Sequence, residues 1–95
     1  MTNIEPTFDA DGYPTDDTLD TIKGWNFGDN AALMRYIRSA WSDVGRVWES
    51  GREIHMATGG WSGNESIIQA MMENHVFWAM CWASSTRGGK YVFEI

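Results

Sequence analysis

The chain has one cysteine, Cys81, no apolar run long enough to span a bilayer, and no basic residue before Lys23. A single thiol forms no internal disulfide, so the fold must close without a covalent staple, as suits a reducing compartment. A membrane helix needs about 18 consecutive apolar residues, and the longest stretches here fall short of that. The start, Met-Thr-Asn-Ile-Glu-Pro, has neither the basic opening nor the apolar segment of a secretory signal. The expected location is therefore the cytoplasm. Internal repeats and low-complexity tracts are also missing.

What is present suits one small folded unit, because 95 residues cannot close a second core. Six tryptophans supply much of the burial that so short a chain requires. The net charge of −6 is unevenly placed: residues 1–22 carry Glu5, Asp9, Asp11, Asp16, Asp17 and Asp20 without a Lys or Arg. The rest is balanced in charge. This reads as a flexible acidic arm over residues 1–14 on a single domain over 15–95. Such a balance argues against direct nucleic-acid binding through a broad basic face.

Helix signals come first along the chain. Thr15 is placed to cap a short helix with Asp16 and Asp17 in its first turn, Leu19 and Ile22 inward, and Gly24 as a left-handed cap. A second helix runs from Asp29 or Asn30 to about Trp41, with Leu33, Tyr36, Ile37, Ala40 and Trp41 on one stripe. Trp25 and Phe27, in the connector, staple the two helices.

From Val44 the period changes to two, and Ser50-Gly51 stands where a hairpin turn belongs. Pairing Glu49 with Arg52 aligns Val47 with Ile54 and Gly45 with Met56 on an apolar face, and puts Arg46, Trp48, Glu53 and His55 on the other. Ser62 to Glu65 has the S-x-x-E form of a capping box and opens a third helix with Ile67, Ile68, Met71 and Met72. The apolar run Val76 to Ala83 reads as a central strand, although its length also suits helix. Ser84 to Gly89 is then a loop, and Lys90 to Ile95 a last strand with Tyr91, Phe93 and Ile95 inward. The expectation is an α+β fold in the order α-α-β-β-α-β-β: a four-stranded, mostly antiparallel sheet with helices on one face.

Catalytic chemistry finds little support. A thiol beside an imidazole would make a nucleophile, but Cys81 sits in an apolar run, where free cysteine behaves as a small hydrophobe. His55, His75 and Cys81 match no zinc spacing. Asp9-Ala10-Asp11-Gly12 opens like a calcium loop but lacks the later ligands, so a turn is the better reading. We expect no enzyme activity, no metal and no cofactor.

Two binding surfaces stand out. Gly59, Gly60, Trp61, Ser62, Gly63 and Asn64 bring backbone N–H groups to a helix start, where an anion is favoured, with Arg87 and Lys90 as counter-charges. Neither a P-loop nor a G-x-G-x-x-G fingerprint is present. The open sheet face, with Arg46, Trp48, His55, Lys90 and Val92, is the second.

Thr-Gly-Gly-Trp-Ser-Gly-Asn-Glu (58–65), Ser-Ser-Thr-Arg-Gly-Gly-Lys-Tyr-Val-Phe (84–93) and Pro-Thr-Asp-Asp-Thr-Leu (14–19) resemble a family of small tailed-phage proteins. The resemblance implies bacteriophage origin, expression in the cytoplasm of the bacterial host and an accessory role, and carries over no catalytic residue. The leading expectation is a module that binds a host or phage protein on the sheet face. The alternatives are a small anionic ligand or nucleotide at the glycine-rich helix start, as in an inhibitor of a host defence signal, and a homodimer through the Trp-rich sheet.

Overall fold

The computed structural model describes residues 5–26 and 28–95. Helix α1 (Asp16–Lys23) begins where Thr15 takes the N-cap, its Oγ1 accepting from the N–H of Thr18 at 3.3 Å. Gly24 closes it at φ −96°, without the left-handed conformation expected of it. Helix α2 (Asn30–Ala40) buries Leu33, Met34, Tyr36, Ile37 and Ala40, the stripe its 3.6-residue period requires. Trp41 caps it and donates its indole N–H to the carbonyl of Ala57 at 3.2 Å. Trp25 packs on Tyr36 with ring centroids 5.3 Å apart, which ties the α1–α2 connector to α2. Phe27, expected to share that task, lies outside the described residues.

Strands β1 (Arg46–Ser50) and β2 (Glu53–Ala57) form the expected hairpin in a corrected register. Glu49 pairs with Ile54 and Val47 with Met56, so the two-residue turn is Gly51-Arg52 and not Ser50-Gly51. Gly51 has φ +61°, and in this register glycine alone takes the positive φ, at the first turn position. The correction moves every pair by two residues, which preserves which side chains share a face.

The expectation of a central strand over 76–83 is overturned. Helix α3 (Ser62–Glu73) is followed at once by a second helix, α4 (His75–Cys81). Only then come strand β3 (Trp82–Thr86) and, after the turn at Arg87–Gly89, strand β4 (Lys90–Glu94). The strand hairpin thus includes Ser84 to Thr86, expected as loop. The order is α-α-β-β-α-α-β-β, and the sheet order is β1-β2-β4-β3 with every pair antiparallel. The strand after the apolar run is an edge, not the centre.

Asn74 stands at the start of α4 and caps it. Its Oδ1 accepts from the N–H of Phe77 at 3.4 Å, capping α4, while its Nδ2 donates to the carbonyls of Ile22 and Trp25 at 3.0 and 3.1 Å. One buried amide therefore satisfies the start of α4 and the end of α1. Phe77 and Cys81, four apart, point inward, while Val76 and Met80 on the opposite side are 53% and 66% exposed. Adjacent Phe77 and Trp78 both pack on the core while Ala79 is exposed, a pattern that the strict alternation of a strand does not give.

One core joins the four helices to the sheet face carrying Ile54, Met56 and Phe93. Phe77 and Trp78 of α4 pack on Phe93 with centroids 5.9 and 5.5 Å apart. Of the acidic N-terminal segment, residues 7–14 are tied to this body. Residues 7–15 close a loop through Asp9, whose Oδ1 accepts from the N–H groups of Asp11 and Tyr13, and Thr7 exchanges hydrogen bonds with buried Thr18. No helix among the described residues is long and apolar enough to cross a membrane.

The two sides of α4 differ in burial, with Phe77 fully enclosed and Met80 largely in solvent. Phe77→Ala should cost about 3–5 kcal/mol, whereas Met80→Ala should stay within about 0.5 kcal/mol. Urea denaturation of the two variants measures both.

Candidate functional site

The sheet face turned away from the helices is ordered in three rows by strand pairing. Arg46, Ala57, Lys90 and Thr86 make the first, Trp48, His55, Val92 and Ser84 the second, and Ser50, Glu53 and Glu94 the third. The expected surface residues Arg46, Trp48, His55 and Lys90 therefore come together. They meet around one ring. His55 stacks on Trp48 with centroids 5.1 Å apart and planes 18° from parallel, while the Arg46 guanidinium carbon and Lys90 Nζ lie 5.0 and 5.4 Å from the Trp48 ring centroid. Each cation–π contact contributes about 0.5–1 kcal/mol at an exposed site.

The charges on this face lack compensation. Arg38 pairs with Glu49 at 2.8 Å, and Lys23 lies near Asp20 and Glu73, but Arg46 and Lys90 have no ion-pair partner among the described residues. His55 Nε2 is 3.2 Å from Glu53 Oε1. A carboxylate only accepts, so Nε2 carries the hydrogen, and the buried Nδ1 has no partner. The acidic row was only half legible: Glu53 is on the mixed hairpin face, and the alternation of Lys90, Val92 and Glu94 is the signal for its companion.

At the glycine-rich segment the residues serve contacts within the fold. Ser62 is the first helical residue and not the N-cap, so no capping box forms; Trp61 holds the N-cap position in extended conformation. The Ser62 hydroxyl instead donates to that of Tyr13 at 3.4 Å. The Trp61 ring turns back over Gly63, where a Cβ would overlap it, and stacks on Tyr13 with centroids 4.9 Å apart. Asn64 is fully buried: its Oδ1 accepts from the N–H of Ser42 at 2.9 Å, and its Nδ2 donates to the carbonyls of Thr58 and Ser42 at 3.1 and 3.4 Å.

Glycines at the same junction permit close backbone approach. A Cβ on Gly45 would overlap the carbonyl oxygen of Ala57, one on Gly59 that of Val44, and one on Gly89 the hydroxyl of Thr58. The N–H of Thr58 donates to the carbonyl of Gly89 at 3.0 Å, which brings the β3–β4 turn against the loop, with Arg87 of that turn exposed. Gly60 donates its N–H to Thr58 Oγ1 at 3.2 Å.

Cys81 is buried in the helix-side core, where desolvation raises its thiol pKa above the ordinary value, and Asn30 Nδ2 approaches its sulfur at 3.5 Å. His55 lies on the opposite side of the sheet and His75 is exposed. Among the described residues no cluster of three His, Cys, Asp or Glu side chains is arranged to hold a metal ion.

Two expected outcomes follow. Asn64→Ala removes the acceptor of the Ser42 N–H and leaves a void in the core, while the carbonyls of Thr58 and Ser42 keep the N–H groups of Trp61 and Gly45; it should cost about 1–3 kcal/mol, with Gly45→Ala comparably damaging, and thermal and urea unfolding measure both. Because folding raises the Cys81 pKa, the folded state holds its proton to higher pH than the unfolded state does. This contribution to stability is fully present below the unfolded-state value and is lost as pH rises through the folded-state value. A thiol-specific reagent should accordingly label the native protein slowly at mildly alkaline pH and the urea-unfolded protein rapidly.

Compared with protein-family models, with curated proteins and with solved structures, the chain matches none of them.

Proposed function

We propose that this chain is a non-catalytic binding module, a phage accessory protein in the bacterial cytoplasm that docks a host or phage protein on the outer sheet face. The observation that carries the reading is the Trp48 cluster: an aromatic ring stacked on His55 and flanked by Arg46 and Lys90, on a face that no helix among the described residues covers. Trp and Arg are the side chains that most often dominate the energy of protein interfaces. Here both are held in place by neighbours, so little side-chain freedom remains to be lost on association.

A small anionic ligand at Gly59 to Asn64 gains less support. The Asn64 amide is already engaged on both sides, and Trp61 covers Gly63.

The test is affinity capture from bacterial lysate with wild-type protein, the Trp48→Ala/Arg46→Glu variant and a Glu65→Lys control on exposed α3 surface, after circular dichroism shows all three folded. Loss of a central Trp anchor costs about 2 kcal/mol or more, so a true partner should be depleted about 30-fold with the first variant and retained by the control. Undiminished capture of every partner by the Trp48→Ala/Arg46→Glu variant would place the binding surface elsewhere.

A further inference from the structure

The outer sheet face is polarised along its strands. Arg46 and Lys90 occupy one end, Glu53 and Glu94 the other, and the row of Trp48, His55 and Val92 lies between them. The outer rows are four residues apart, about 13 Å at the rise of a strand. Both ends are electrostatically unfinished. Glu53 and Glu94 are direct cross-strand partners, a placement that sets like charges against each other. Among the described residues Glu94 has no ion-pair partner, and that of Glu53 is His55, charged only when protonated. The two cations at the other end are unpaired as well.

Opposite charges left over at the two ends of one face are self-complementary under a two-fold axis, since such an axis sets each patch against its counterpart. We propose that the outer face docks on the same face of a second copy of this chain, the axis lying between the two sheets and crossing the strands at the level of Val92. Lys90, Val92 and Glu94 follow one another on the same face of β4, so this axis sets Lys90 over Glu94 of the partner subunit, and the reverse. Arg46, on the edge strand, comes to the level of Glu53 of the partner subunit, one strand away, about 4.8 Å to the side. Sheets pack about 10 Å apart, a gap that Lys, Arg and Glu side chains bridge, while the Trp48, His55 and Val92 rows meet at the centre.

The inference rests on the outer face being the binding surface, and it names one occupant. Nucleic acid fits this face less well: His55 and the two cations already engage Trp48, which leaves it a poor stacking platform, and the acidic row repels phosphates. Four strands of five residues give a face of roughly 19 by 17 Å, about 650 Å² over the two copies and below the roughly 1,000 Å² that a stable specific interface clears. The dimer should accordingly be weak, sensitive to salt, and open to exchange with another protein.

Sedimentation velocity over a concentration series tests this with purified wild type, Arg46→Glu/Lys90→Glu, Glu53→Lys/Glu94→Lys and an equimolar mixture of the two variants, each shown folded by circular dichroism. Wild type should shift with concentration from the 10.8 kDa monomer toward twice that mass, and added salt should reverse the shift. Each variant should associate at least about tenfold more weakly, as like charges now face each other, and the mixture should recover association. The milder Glu94→Gln should weaken it about threefold to tenfold, the loss of two exposed ion pairs across the axis. A wild type that stays monomeric, variants that associate as wild type does, or a mixture that fails to recover each overturns the proposal. Wild-type binding to a labelled single-stranded oligonucleotide that Arg46→Glu/Lys90→Glu abolishes reassigns the face to nucleic acid. A monomeric wild type that still captures a lysate protein through Trp48 removes the second copy and leaves the binding-module reading standing.

Discussion

The buried amide of Asn64 is the contact on which the rest of the architecture depends. It hydrogen-bonds the backbone of Ser42 and Thr58 from the first turn of α3, so the chain entering β1, the chain leaving β2 and the following helix meet at one side chain. A buried amide left unpaired is costly, so this residue specifies the geometry as well as stabilising it. The adjacent glycines follow from the same constraint. At Gly45, Gly59 and Gly89 a side chain would occupy space that a neighbouring backbone or hydroxyl group already fills. The β3–β4 turn is drawn into the junction through Thr58 and Gly89, which helps hold β4 beside β2.

That junction also decides the character of the two sheet faces. With α3 anchored at the end of β2, the helices gather on the side of Ile54, Met56 and Phe93, and the opposite side is left uncovered. The open face is not a simple polar surface. Trp48 is stacked on His55, while Val92 is only 8% exposed although no helix among the described residues covers it. The long side chains around them shelter apolar area while keeping their charges in water. In a chain of net charge −6, two cations on one aromatic ring, without an ion-pair partner among the described residues, make a local field opposite in sign to the whole. A surface of this kind draws anionic groups over short range and is screened at longer distance.

The sequence was most legible where the signal is local. The α1 cap at Thr15, the buried stripe of α2 and the strand parity that puts Arg46, Trp48 and His55 on one face of the hairpin are all properties of neighbouring residues. The hairpin register slipped because Ser50-Gly51 and Gly51-Arg52 are both acceptable turns, and the conformational demand on glycine chose between them. The capping box at Ser62 failed because Trp61 is held by Tyr13, a residue far away in sequence.

By itself the sequence determined an α+β domain, without a disulfide, whose sheet has one apolar and one mixed face, since period-two and period-3.6 patterns are carried by the chain alone. Tertiary structure decided the state of residues 75–81. An apolar run of that length satisfies strand and helix equally, and the balance tipped through Asn74, whose amide caps α4 only because the carbonyls of Ile22 and Trp25 stand within reach of its other end. It also decided that Glu94 stands beside Glu53 and Lys90 beside Trp48, because β4 crosses from the end of the chain to pair with β2, a neighbour that no local pattern specifies.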